Sequence, residues 1–274
     1  MLIDKLKMYI FNISLIFLDN HMKVFLNKNT FSSLFSALLF SLSISAEYFP
    51  DNQSWIKSSP EEEGVSTEKI NKLIDLSFSD DATQAVVVVK NGKIISEKYA
   101  DGYDINSHGT SWSMAKSYYA ALVGISIDKG EIKSLDERVS NYLDYFNDAR
   151  SDITIRDLLD MSSGLDFPSH EHEKMFFQTD HLAYAKEVGV EKDAGIKFEY
   201  NNVNSMLLGD ILFQATGKKA DLLFIERILK PLQISDYKLW KDEMGNVMTY
   251  CCVDMSARDY SKIGLLFFKK WCLE

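Results

Sequence analysis

The stretch from Met114 to Ile127 constrains this chain most: fourteen residues rich in Ala, Tyr and Leu, carrying one charge near the start, and closed by Lys129-Gly130. A helix that is apolar on all sides cannot sit on a surface, so it must be buried under other elements. That demands a substantial core, which a composition of 46% hydrophobic and 26% charged residues can supply. Such a balance also excludes general disorder, which goes with low hydrophobicity and high net charge. Four prolines and 13 glycines leave little material for a long flexible linker. The net charge of −10 argues against nucleic acid as a partner, because phosphate backbones need concentrated Lys and Arg.

Ahead of the apolar helix, Ser66 opens an amphipathic run with Ile70, Leu73, Ile74 and Ser77 on one face. Then Ala85 to Val89 and Lys93 to Tyr99 flank Asn91-Gly92, the signature of a β-hairpin. Downstream, helices are expected over Leu135–Tyr145, Thr154–Met161 with Asp152 or Thr154 as cap, Val203–Ala215, Ala220–Ile228 and Ser256–Lys270. The layout is a hairpin at the front and a helix-rich remainder.

Residues 1–46 differ from the rest. From Met22 a basic start, an apolar centre at Leu34–Leu42 and small residues Ser43, Ser45 and Ala46 match a cleaved secretory signal, with Met22 the expected start. The apolar centre is shorter than the ~20 residues a bilayer-spanning helix needs. Any membrane contact is therefore confined to that segment, and an exported protein, periplasmic or secreted, is expected. Cys251, Cys252 and Cys272 form an odd count without CxxC or Cys/His ligand spacing, indicating neither a disulfide framework nor a zinc site. His170-Glu-His172 offers no third ligand and reads as a polar loop, so no metal or other cofactor is expected.

The chemistry-bearing segment is Ser113-Met-Ala-Lys116. On a helix, residues i and i+3 share a face, which brings the Lys116 amine to the Ser113 hydroxyl. A buried lysine that loses its proton near neutral pH can serve as the base that activates a serine. Amide N–H groups at a helix start can stabilise an oxyanion. Five Ser-x-x-Lys matches occur, beginning at Ser54, Ser66, Ser113, Ser126 and Ser235, and only the one at Ser113 opens an apolar helix after a glycine-containing turn. The bland alternative is an N-terminal serine beside a snorkelling lysine. A second element, Phe198-Glu-Tyr200-Asn-Asn202, precedes the apolar helix at Val203. Tyr200 can shuttle a proton and Asn202 can hydrogen-bond a substrate carbonyl; alternatively they are a packing aromatic and a helix N-cap.

Taken in order, these segments resemble the serine β-lactamase and penicillin-binding-protein-like superfamily, especially class C β-lactamase-related hydrolases, carboxylesterases and the 6-aminohexanoate-dimer hydrolase type. The resemblance is carried by Val86-Val-Val-Val-Lys-Asn-Gly-Lys-Ile, Ser113-Met-Ala-Lys116-Ser, Ile155-Arg-Asp-Leu-Leu-Asp-Met-Ser-Ser-Gly-Leu165, Phe198-Glu-Tyr200-Asn-Asn202 and Met255-Ser-Ala-Arg-Asp-Tyr. It implies an α/β fold: an antiparallel sheet flanked by helices, with an all-helical subdomain, occupying 47–274. It also implies a nucleophilic Ser113, a general base Lys116, proton transfer through Tyr200, substrate alignment by Asn202, and a turn at Ser163-Gly164-Leu165. The expected activity is hydrolysis of a small-molecule ester or amide through an acyl-enzyme, carboxylic esters and non-peptide amides being favoured over β-lactams. The superfamily carries a Lys-Thr-Gly or His-x-Gly motif on a later strand, and none follows the Ala-Arg-Asp-Tyr helix here. The expectation is a C-terminally shortened domain without that strand, its sheet neighbours and the last helix. A non-catalytic relative with a binding role or none is the competing reading.

Overall fold

The computed structural model describes Pro50 and residues 55–167, 170 and 172–268. The signal-like segment 1–46 and the region of Cys272 lie outside the described residues. Helix α1 (Thr67–Ser77) is started by Ser66, whose side chain accepts a hydrogen bond from the Lys69 amide. Its buried positions are Ile70 and Ile74, whereas Leu73 is exposed. Strands β1 (Ala85–Lys90) and β2 (Lys93–Tyr99) pair antiparallel from Ala85↔Tyr99 to Lys90↔Lys93, with a bulge between Val88 and Val89. Asn91 and Gly92 both take positive φ (51° and 77°), as the tight turn requires.

The four consecutive valines follow from packing on both faces. Val86 and Val88 lie against Ile70, Ile74 and Ile95 on the α1 side. Val87 and Val89 lie against Trp55, Ile94 and Leu265 on the other. Leu265 belongs to the last helix, and Arg258 of the same helix holds Glu97 of β2 through two bonds of 2.6 and 2.9 Å.

The central helix α2 (Ala115–Asp128) is buried along most of its length, with Tyr118, Tyr119, Leu122 and Val123 inside. Its chief partner is α6 (Asn202–Thr216), itself buried through Val203, Met206, Leu207, Ile211 and Leu212. Between them in sequence come the short helices α3 (Ile155–Leu159), α4 (His172–Phe176) and α5 (His181–Glu187). Thr154, not Asp152, caps α3 in a reciprocal capping box with Asp157. Gly217 closes α6 in the left-handed conformation. Helix α7 (Ala220–Phe224) continues as a π-turn over Ile225–Leu229 and brings Phe224 against Tyr118 and Tyr119, at 5.9 and 5.5 Å between ring centres.

Two sequence expectations change. Residues 135–145 form no long helix, only a 3₁₀ turn at Val139–Asn141, because the Val139 and Ile155 amides bond to the Ile153 and Glu137 carbonyls. Also, three short strands appear beyond the hairpin: β3 (His108–Thr110), β4 (Tyr237–Leu239) and β5 (Val253–Ser256), in antiparallel order β3-β5-β4. The last helix, α8 (Ala257–Phe268), follows β5 directly. The fold is therefore the expected mixed α/β type, with its antiparallel strands divided between two small sheets.

Candidate active site

The site begins where β3 ends. Ser111 is tied to β5 twice: its amide donates to the Val253 carbonyl at 2.8 Å, and its hydroxyl accepts from the Val253 amide at 2.9 Å. Thr110 donates to the Asp254 carboxylate at 2.7 Å. From this anchor the chain enters a 3₁₀ turn, Trp112–Met114, that runs into α2. Trp112 has φ 45°, a left-handed conformation that is strained for a bulky side chain. Ser113 follows it, exposed at the mouth of a cavity of about 470 Å³.

Lys116 lies on the first turn of α2, and its Nζ donates to Ser113 Oγ at 3.1 Å and to the Tyr250 carbonyl at 2.6 Å. Burial in this position lowers its pKa from the ordinary 10.5 to about 7. With the amine neutral, its lone pair can take the Ser113 proton across the same 3.1 Å contact. The Tyr200 hydroxyl stands 2.5 Å from Ser113 Oγ, and its ring lies 4.9 Å from Lys116 Nζ. Hydroxyl, amine and phenol therefore form one cluster at hydrogen-bond range.

Tyr200 and Asn202 reach it from a loop fixed by backbone bonds. The Gly195 and Glu199 amides donate to the carbonyls of Ser162 and Met161. At Gly164, φ is +71° and an added Cβ would stand 2.0 Å from the Lys192 carbonyl oxygen, so only glycine permits this crossing. Ser163 donates to the Asn204 side chain at 2.7 Å, tying the same turn to α6. The helix-cap reading belongs to Asn201, whose side chain accepts from the Val203 amide. Asn202 instead lines the cavity, buried, with its Oδ1 unpartnered. An unpaired buried polar atom in a cavity wall is a place where a ligand group regains a hydrogen bond.

The four residues picked from sequence, Ser113, Lys116, Tyr200 and Asn202, thus converge on one site. Several other wall residues carry no motif. Tyr250, whose carbonyl holds the Lys116 amine, is itself fixed by its hydroxyl against His181 Nδ1 at 3.0 Å. Trp112, Phe176 and Phe177 add further aromatic surface. Their only sequence signal is that they are large apolar residues near polar ones. The cysteine reading also changes: the structure joins Cys251 to its neighbour Cys252, a pairing that spacing rules do not detect. Among the described residues no His, Cys, Asp and Glu are grouped to hold a metal ion.

Comparison with known proteins adds a family match. A family model described as Beta-lactamase matches residues 81–246. An Escherichia coli protein provisionally described as a D-alanyl-D-alanine carboxypeptidase is 25% identical over 73% of this chain and 53% of its own length. A Bacillus subtilis N-acetylmuramyl-L-alanine amidase is 27% identical over 62% of this chain and 46% of its own. The chain spans about half the length of these curated relatives. Among solved structures, a Bacillus anthracis protein provisionally described as a 6-aminohexanoate-dimer hydrolase superposes with a TM-score of 0.62 at 22% identity. That alignment covers 81% of this chain and 62% of the other.

Proposed function

Because the chain belongs to the beta-lactamase family, whose model spans more than half of it, we propose that it is a serine hydrolase cleaving an ester or amide bond through an acyl-enzyme on Ser113. The observation that carries this reading is the Ser113–Lys116–Tyr200 cluster, with a lysine whose pKa lies near 7. Ser113 Oγ attacks the carbonyl carbon while its proton passes to the neutral Lys116 amine. The Ser113 amide at the helix start stabilises the oxyanion. As the carbonyl re-forms, the leaving-group bond breaks and Tyr200 delivers the proton, which Lys116 replaces. Water then attacks the Ser113 ester, gives its proton to the same pair, and frees the serine and the acid. Asn202 hydrogen-bonds the substrate beside the scissile bond.

The substrate is a small molecule, a carboxylic ester or non-peptide amide, and nucleic acid is not a partner. The basic, apolar and small-residue succession over 22–46 supports export to the periplasm or medium. A fluorophosphonate probe and a p-nitrophenyl ester test the reading on purified protein. Labelling at Ser113 that disappears in Ser113→Ala, with ester turnover lost in Ser113→Ala and Lys116→Ala, is the expected result. A folded wild-type protein that neither labels nor hydrolyses belongs instead to a non-catalytic relative.

A further inference from the structure

A neutral amine has two N–H bonds and one lone pair. For Lys116 to take the Ser113 proton, the lone pair must face Oγ, so an N–H must be held elsewhere. The Tyr250 carbonyl does this: it receives Nζ at 2.6 Å, a closer contact than the 3.1 Å to Ser113 Oγ. Were that carbonyl turned away, the amine on its flexible four-carbon stem could present an N–H to Oγ instead. No base would then face the hydroxyl.

The carbonyl belongs to a residue anchored by its own side chain. The Tyr250 hydroxyl and His181 Nδ1 share a hydrogen bond of 3.0 Å, and both residues are buried. His181 in turn has a rigid mount. It opens α5 directly after Asp180, whose carboxylate accepts from the Ala183 amide, and its own amide donates to Asp242 Oδ2 at 2.9 Å. Asn246 links the two carboxylates, donating to Asp180 Oδ1 and to Asp242 Oδ2. The imidazole packs against the Phe176 and Tyr250 rings, at 6.3 and 5.9 Å between ring centres. Two apolar side chains would fill this space without taking a phenol and an imidazole out of water, so packing alone does not call for this pair. What the hydrogen bond adds is a fixed orientation for Tyr250, and with it a direction for the carbonyl of the same residue.

Resting on the serine-hydrolase reading above, we propose that His181 is a positioning residue for the reaction: by holding the Tyr250 hydroxyl it keeps the Tyr250 carbonyl on an N–H of Lys116 and leaves the amine's lone pair to Ser113. Phe176 and Tyr250 line the cavity, and His181 stands behind them. It acts through Tyr250 and not on the substrate, so its contribution falls on the rate of acylation and not on binding. A small misplacement of a reacting group costs tenfold in rate, on the order of magnitude.

The test compares wild type with Tyr250→Phe, His181→Leu, His181→Asn and the double variant Tyr250→Phe/His181→Leu. It reads p-nitrophenyl acetate turnover and the rate of fluorophosphonate labelling at Ser113, both per folded molecule. Expected in Tyr250→Phe and in His181→Leu are losses on the order of tenfold in kcat and in labelling rate, with KM moved by less than about twofold. The double variant should be no slower than either single one, because both substitutions remove the same bond. His181→Asn can set an amide atom where Nδ1 stands, so it should recover most of the rate. A merely structural role lowers the melting temperature of these variants and leaves the rate per folded molecule unchanged; that result overturns the inference. A loss confined to KM, or an equal loss in His181→Asn and His181→Leu, overturns it too. Should the substitutions at 181 unfold the protein, Tyr250→Phe, which removes one oxygen, decides alone. Labelled wild type with unmoved variants removes only this inference and leaves the Ser113 chemistry standing. A folded wild type whose Ser113 is not labelled removes the hydrolase reading, and this inference with it.

Discussion

Replacing Lys116 by methionine should make the protein more stable at neutral pH while abolishing turnover. The lysine pKa falls from 10.5 to about 7 because the amine is buried. At roughly 1.4 kcal/mol per pH unit, that displacement corresponds to about 5 kcal/mol of destabilisation where the amine is protonated in both states. Part of it is offset by the bonds to the Tyr250 carbonyl and Ser113, each worth about 1 kcal/mol. Methionine has a similar length and no charge, so Lys116→Met should gain about 3 kcal/mol at pH 7. The sign with pH follows from proton counts. Between pH 7 and 10.5 the unfolded lysine holds a proton that the folded one has lost, so wild-type stability rises with pH through that window. The variant's advantage should therefore shrink by about 1.4 kcal/mol for each pH unit above 7 and vanish near pH 9, above which the two retained bonds leave the wild type the more stable. Urea unfolding of both proteins at pH 7, 8 and 9 measures this, and titrations common to the two cancel in the difference. Over the same window wild-type kcat/KM should rise with pH and reach half its plateau near 7. A stability difference that is flat from pH 7 to 9, or a variant less stable than wild type throughout, would falsify the claim that burial prepares Lys116 as a base.

Two further predictions concern the scaffold. Gly164→Ala should lower stability by about 2 kcal/mol or more and the melting temperature by about 4–8 °C, because its Cβ meets the Lys192 carbonyl at φ +71°; an unchanged melting curve would show that the loops part freely. Arg258 and Lys57 beside Glu97 hold its carboxyl down, from 4.5 to about 2. The stabilisation is complete above pH 4.5 and lost as pH falls towards 2, so Glu97→Gln should flatten the acid limb of the stability curve, which thermal melts from pH 6 to 2.5 can follow.

What the sequence disclosed and what it hid divide by the range of the forces involved. The hairpin was legible because Asn91-Gly92 fixes a turn locally, and α2 because an apolar run without a polar face has only one place to go. The site motif was legible for the same reason: Ser113 and Lys116 are one helical turn apart. By contrast, 135–145 has helical composition, yet its backbone bonds to 153–155, a tertiary preference that overrides propensity. Strands β3 and β5 are three and four residues long and owe their existence to pairing with each other across more than 140 residues. Trp112 carries no sequence signal of its own; its left-handed backbone and its exposure arise only in the folded chain.

The segment 250–254 then acquires a meaning that no local pattern carries. Its first carbonyl, on Tyr250, receives the Lys116 amine; its Val253 amide and carbonyl hold Ser111; its Asp254 carboxylate holds Thr110 and the Trp240 indole. One stretch of backbone therefore sets both the strand end that presents Ser113 and the acceptor that orients the Lys116 amine. Positioning by backbone groups is insensitive to side-chain identity, so this segment can hold the Ser113–Lys116 geometry without displaying a motif. The same logic explains the strain at Trp112. With Ser111 fixed to β5 behind it and α2 locked in the core ahead of it, the turn has few ways to bring Ser113 to the surface, and the left-handed residue is where that constraint is absorbed.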